Sequence, residues 1–366
     1  MAVLRPRKPH QQRGRTAQQT AAGVAISPPR VSDRVSNRWR VSKDWCKGFE
    51  NFTGTMCYRH STLQAMMVAP KFLNWLEDEH KQDQCVFLRE ECLSCRLRAL
   101  YKVYWRPDLL DAKPLLDELL IALDETLKRG GWDRPGQQDA EEMLGWMIAK
   151  LKTQLPIEQA DCISDIFETR LKSIVTCANK KCKEKSSSSG LDSLLRLPIK
   201  PETRYKTIKS YINKYMNEMV EGYRCEKCSD AEPKRRTLTI TSAPDVLFIQ
   251  LKRFDEFGQK DDSQVRFDHR LDLSVNLDDK SQGPLVYKLA ATSRHAEYFV
   301  KNTSPRWVDR STIDGHYIAH AKSSNGKWYE CNDAKVLNIS AKEAVDQETD
   351  IEDDGFTPYI LCYLKT

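Results

Sequence analysis

Cys57 lies in the run GFENFTGTMCYRHSTLQAMM (Gly48 to Met67), His316 in DGHYIAH, and Asn332 in KWYECNDAKV. A thiol nucleophile needs an imidazole to take and return its proton, and a third group to hold that ring. The three parts occur here in that order, and they are the parts of a cysteine peptidase. Cys57 stands just before a stretch predicted to be helical, Ser61 to Ala69, where free backbone N–H groups and the helix dipole lower a thiol pKa. Gly54, three residues earlier, lets the backbone approach a substrate carbonyl closely. A buried cysteine standing alone is ordinarily a small hydrophobe, so it is the joint pattern that carries the reading.

Local geometry brings the imidazole and its partner together. The strand from Gly315 turns at SSNG (Ser323 to Gly326) and returns through Lys327. A four-residue loop sets Lys322 opposite Lys327 and His316 opposite Asp333; a two-residue Asn325-Gly326 turn sets His316 opposite Lys335. In either register Asn332 and Asp333 arrive beside His316.

The elements around these residues fall into two blocks. From Asp44 to about Ile166 the patterns are helical, with Leu115 to Leu127 and Gln138 to Leu155 the clearest, the latter stopped by Pro156. After Phe167 the period becomes that of strands: Thr169 to Thr176, Arg236 to Thr241, Val246 to Phe254, Tyr287 to Thr292, His316 to Ala321, Lys327 to Cys331 and Tyr359 to Leu364. Helices first and antiparallel strands afterwards give an α+β class.

The 366 residues carry a net charge of +6, unevenly distributed. Residues 1–43 hold ten Arg or Lys against Asp33 alone, leaving 48 basic and 51 acidic side chains for the rest. Residues 1–43 therefore read as a disordered basic tail, solvated and with no single partner, and as the one part of the chain through which nucleic acid or importins could be reached. The body from 44 to 366 is mildly acidic. No apolar run approaches the ~18 residues of a membrane span, and the start has no secretory h-region. A nuclear or cytoplasmic location and no membrane partner are expected. Twelve cysteines, clustered and in a reducing compartment, suggest metal or catalysis.

Two of these clusters are Cys177-x4-Cys182 and Cys225-x2-Cys228, separated by 42 residues. Four thiolates in two close pairs suit tetrahedral zinc, which stabilises a protrusion lacking its own core. Ser186 to Ser189 then reads as a flexible loop between them. Cys92-x2-Cys95, with Cys85 nearby, is a second metal candidate, but it has no second pair and lies in a helical pattern, so it reads as core packing with zinc the lesser alternative.

The Cys57 run resembles the Cys box of the ubiquitin-specific proteases, the papain-like deubiquitinating enzymes. GQQDAEEMLGWM (Gly136 to Met147) is similar to their QQDA helix, and VLFIQLKRF, VRFDHRLDLS, DGHYIAH, WYECNDAKV and PYILCYL resemble their remaining blocks in family order. The resemblance covers Asp44 to the C-terminus. It implies a helical thumb, an antiparallel β palm and zinc-binding β fingers at about 170–240, with one structural zinc. It also implies hydrolysis of the bond after the C-terminal glycine of ubiquitin, with ubiquitin and ubiquitinated proteins as partners. Carried over, Cys57 is the nucleophile, His316 the base and acid, and Asn332 the orienter, with Asp333 supplying the charge that an asparagine lacks or taking over its role. Asp139 and Gly315 are implied to bind the substrate tail, and residues 297–313 form a longer loop than in most relatives.

The chain departs from the family around the nucleophile. The oxyanion-donating asparagine five residues before the cysteine is replaced by Phe52, and Asn51 is one residue too early unless the loop bulges. Thr55 and His60 also stand where asparagines are usual. One lost oxyanion donor costs ~10²–10³ in rate, so a weak or inactive ubiquitin-binding pseudoenzyme is the alternative expectation.

Overall fold

Helical spacing gives way to alternation at Phe167, and the fold divides at the same residue. The computed structural model describes residues 30–40, 46–106, 112–199, 206–256, 260–297, 315–345 and 355–366. The helical part holds α1 (Val31–Arg34), α2 (Cys57–Met67), α3 (Pro70–Asp78), α4 (Leu93–Tyr104), α5 (Ala112–Arg129), α6 (Ala140–Thr153) and α7 (Ile157–Phe167). The second part runs through β1 (Thr169–Thr176), β2 (Lys185–Asp192), β3 (Leu194–Pro198), β4 (Lys206–Thr207), α8 (Ile208–Met216), β5 (Asn217–Val220), β6 (Lys234–Ser242) and β7 (Val246–Lys252). It continues through β8 (Val265–Arg266), β9 (Arg270–Asp272), β10 (Val286–Ala296), β11 (His316–Lys322), β12 (Trp328–Asn332), β13 (Lys335–Ile339), α9 (Ala341–Val345) and β14 (Thr357–Lys365).

The palm is an eight-stranded sheet ordered β13-β12-β11-β10-β14-β7-β3, with β9 also paired to β10. It is antiparallel except for β3, which runs parallel to β7. The run VLFIQLK is apolar throughout because both faces of β7 are covered. Val246 and Phe248 face the core shared with the helices, while Leu247, Ile249 and Leu251 face a second core with α8. The fingers are a four-stranded sheet ordered β2-β1-β6-β5. Ser186 to Ser189, expected to be a loop, belong instead to β2, paired residue by residue with β1. Their side chains are exposed, so the backbone ladder and not burial holds this polar edge.

Residues 1–29 and 41–43 of the expected tail lie outside the described residues. Its described part is packed against the body: Ser32 is buried with its hydroxyl 2.6 Å from Asp165, and Asn74 donates to the Ser36 and Arg38 carbonyls. Its arginines join the attachment, Arg30 pairing with Asp165 and Arg40 with Asp78, so a run that read as a solvated basic tail is in part a docked one. No helix among the described residues is long and apolar enough to cross a membrane.

α2 is the axis of the molecule, with all eleven residues buried, as a helix covered on every side must be. It packs on β11, β10 and α6. Its polar side chains are satisfied inside: Ser61 and Thr62 hydroxyls donate to the Tyr58 carbonyl, and Gln64 donates to the Lys47 carbonyl. The helical and sheet parts are riveted by Phe167, fully buried, 5.1 Å from the Phe72 ring and stacked 5.9 Å from Phe248. Phe167→Ala is expected to cost about 3–5 kcal/mol, read as a lowered denaturant midpoint with an unchanged slope.

Candidate active site

Cys57 opens α2, and its thiol is fully buried. Three backbone N–H groups, those of Tyr317, Tyr58 and Cys57 itself, favour its thiolate. Burial outweighs them, and with the nearby Asp333 charge it pushes the thiol up to about 11. The sequence led to the opposite expectation, a lowered pKa, because helix position is legible in a sequence and desolvation is not. The Tyr317 N–H belongs to the residue after His316, so β11 delivers the imidazole's own strand to the thiol.

The hairpin register falls between the two anticipated. Lys322 pairs with Trp328 and Ala319 with Cys331, leaving Ser324, Asn325 and Gly326 as a three-residue loop. Ser323 N–H donates to the Lys327 carbonyl, and Gly326 takes φ +89, the left-handed residue that such loops require. In this register Asn332 stands opposite Ile318, on the same face as His316 two residues along. His316 Nε2 is 2.8 Å from Asn332 Oδ1. The amide oxygen can only accept, so Nε2 carries the proton and Nδ1 is left as the base.

Asp333 follows in a two-residue turn between β12 and β13, at φ +49. The turn swings its carboxylate toward α2. His60 Nδ1 lies 2.7 Å from Oδ1, Asn51 Nδ2 donates to Oδ2 at 2.9 Å, and His316 Nε2 is 4.0 Å from Oδ2. Burial works to raise the Asp333 pKa, but the His60 and Asn51 hydrogen bonds and the His60 and His316 rings hold it below its usual value. Burial also lowers His60, against the pull of Asp333. Neutral His60 therefore donates from Nδ1 to an ionised carboxylate.

The remaining residues fall into place around this centre. Asn51 Oδ1 accepts from Met56 N–H at 3.1 Å, so its amide staples the Cys loop to Asp333, and Phe52 is 48% exposed. Phe49 N–H donates to the Asp333 carbonyl, and a Cβ on Gly48 would lie 2.3 Å from the Ala334 oxygen. Only glycine allows that approach. Gly315 is equally enclosed, 2.3 Å from His295 Nε2 at an added Cβ, and its N–H donates to Gln137 Oε1. Asp139 caps α6, accepting from the Glu141 and Glu142 N–H groups and from the Tyr359 hydroxyl at 2.5 Å. Burial lifts it to about 6 despite these bonds. Most of the 297–313 stretch lies outside the described residues. The sequence reading missed His60 as a partner of Asp333, although it stands three residues after Cys57 on one helix face. It also missed Gln137.

In the fingers, Cys177 and Cys182 come from the turn after β1, and Cys225 and Cys228 from the turn before β6, its neighbour in the sheet. The four Sγ atoms lie within 4.8 Å of one another, with Cys177–Cys228 at 3.6 Å and Cys182–Cys225 at 3.9 Å. A tetrahedron with Zn–S bonds of ~2.3 Å has edges of about 3.8 Å. Lys183 and Ser229, each directly after the second cysteine of a pair, are both left-handed, which folds the two turns alike. The donor set fits zinc.

A thiol at a helix N-terminus, contacted by the antiparallel strand that carries an amide-held imidazole, defines a papain-like cysteine peptidase. The family described as ubiquitin carboxyl-terminal hydrolase matches residues 47–363, and the chain belongs to that family. It is 23% identical over 363 residues to human ubiquitin carboxyl-terminal hydrolase 42, covering 94% of this chain and 25% of that protein. It is 28% identical over 319 residues to ubiquitin carboxyl-terminal hydrolase 25 of Arabidopsis thaliana, covering 81% and 45%. The chain thus spans half or less of either relative. The SAGA DUB module Ubp8 chain bound to monoubiquitin shares the fold with a TM-score of 0.69 at 24% identity, over 91% of this chain and 73% of that one.

If burial sets the thiol, alkylation of Cys57 by iodoacetamide rises about tenfold per pH unit across the neutral range, with no plateau until the pH nears 11. The rate-against-pH profile, read by mass spectrometry at Cys57, checks it; a plateau near neutrality would show a preformed ion pair.

Proposed function

We propose that the protein is a thiol-dependent deubiquitinase that hydrolyses the isopeptide or peptide bond after the C-terminal glycine of ubiquitin. The observation that carries the reading is the 2.8 Å contact of His316 Nε2 with Asn332, which frees Nδ1 to act as base on the strand that touches Cys57. His316 takes the Cys57 proton, and the thiolate attacks the glycine carbonyl carbon. The tetrahedral intermediate collapses as His316 returns the proton to the leaving amine, giving a thioester and the free amine. Water, deprotonated by His316, then hydrolyses the thioester. Asn332 fixes the ring, and the Asp333 carboxylate 4.0 Å away supplies the negative charge for the imidazolium.

The high pKa of Cys57 fits an enzyme that exposes its thiolate only when substrate occupies the cleft. Asp139 and Gly315 line the proposed path of the ubiquitin tail, Asp139 as a capped acid and Gly315 as a residue with no room for a side chain. One structural zinc on Cys177, Cys182, Cys225 and Cys228 would clip the two finger turns together, and ubiquitinated proteins are the proposed partners. The second reading, a ubiquitin-binding protein with weak catalysis, is favoured by Phe52 and by the engagement of the Asn51 amide with Asp333 and Met56.

A ubiquitin C-terminal electrophile is expected to label the wild-type protein and not Cys57→Ala, while His316→Ala abolishes turnover of a ubiquitin-amide substrate. Equal labelling of Cys57→Ala would sink the assignment, and labelling without turnover would select the weak-catalysis reading. Phe52→Asn is expected to raise kcat toward the ~10²–10³ that one oxyanion donor contributes. An unchanged kcat would assign the oxyanion to backbone donors.

A further inference from the structure

The connection from α3 to α4 poses a physical problem. None of residues 81–91 is buried, and its tip exposes Val86 at 89% and Leu88 at 62%. A segment with no core of its own needs another constraint to hold one shape. Only its two ends go inward: His80 is 6% exposed, Cys92 fully buried and Cys95 5% exposed, and Cys85 is the half-buried residue between them.

These four residues converge. His80 Nε2 lies 3.2 Å from Cys95 Sγ and 3.6 Å from Cys92 Sγ. The single nitrogen and three sulfurs all fall within 4.8 Å of one another. Zinc bonded to nitrogen at ~2.05 Å and sulfur at ~2.3 Å in a tetrahedron places the two ligand atoms about 3.6 Å apart. Cys92 caps α4 and Cys95 sits in its first turn, a knuckle spacing. All three cysteines are free. The spacing alone left Cys92 and Cys95 as packing residues because no second pair followed. The missing partners come from the end of α3, where the His80 N–H bonds the Trp75 carbonyl, and from the surface turn at Cys85.

We propose that His80, Cys85, Cys92 and Cys95 form a second, Cys3His structural zinc site, separate from the fingers, that fastens the 80–92 connection to the thumb. Bound as three thiolates and a neutral imidazole, the ion gives these groups ligand bonds in place of the weak contacts that the ring and the thiols make with one another. It draws the surface Cys85 inward, giving residues 81–91 the anchor that burial does not provide. The inference is independent of the proposed hydrolase activity, because metal content is read without substrate.

The test is zinc stoichiometry of the full chain, purified without a histidine tag, by elemental mass spectrometry. Wild type is expected to hold two zinc ions per chain, and Cys225→Ser/Cys228→Ser one. With cobalt substituted into that fingers variant, the remaining ion shows the absorption of a mixed sulfur–nitrogen site, and His80→Cys shifts it toward an all-sulfur spectrum. Cys85→Ser, at a half-exposed position, is expected to release the second ion and to speed trypsin cleavage after Lys81 and Arg89. One zinc in the wild type and none in the fingers variant would overturn the proposal. So would a second zinc that survives Cys85→Ser and His80→Ala together.

Discussion

The Asp333 carboxylate ties together three parts of the chain that converge on the site. It accepts from Asn51 in the loop before the nucleophile and from His60 one turn into α2, and it faces His316 across the hairpin. Its main-chain oxygen accepts from Phe49. Two layers of the protein, the buried helix and the palm edge, are thus set relative to each other by one residue in a left-handed turn. Partial burial strengthens each of these bonds by lowering the local dielectric, and it makes an unpaired carboxylate there costly. The network is therefore an all-or-none device for placing Cys57 and His316.

The same burial that sharpens these bonds works against the nucleophile. Three N–H groups favour the thiolate, yet desolvation and the Asp333 charge leave the thiol protonated in the free chain. His60 is kept neutral by burial as well. The centre as it stands is thus poor in charge, holding one carboxylate and several neutral donors. This suits a cleft in which ionisation follows the arrival of substrate.

Much of the architecture was legible because periodicity is a strong signal where burial is one-sided or complete. α6 and β7 fell within a few residues of their expected bounds. The serines of β2 were unreadable, since a strand held by its ladder alone leaves no side-chain pattern. Cys57, His316 and Asn332 could be named from type and order, but the partner geometry hung on a loop of three residues where two or four were anticipated. The partners of His60 and His80 could not be read, because they lie on other elements. Burial, which decides the state of Cys57, is a property of the whole fold.

The turn between β11 and β12 has a consequence for descent. Residues added to the fingers or to the connection before Gly315 lengthen the chain without moving a reactive atom. A codon gained or lost between Ser323 and Lys327 is either absorbed in the loop or shifts the pairing by one, and the shift turns Asn332 to the opposite side of the sheet from His316. Length is held more tightly across this one short turn, where an insertion that moves the register separates the two residues while leaving each of them in the chain.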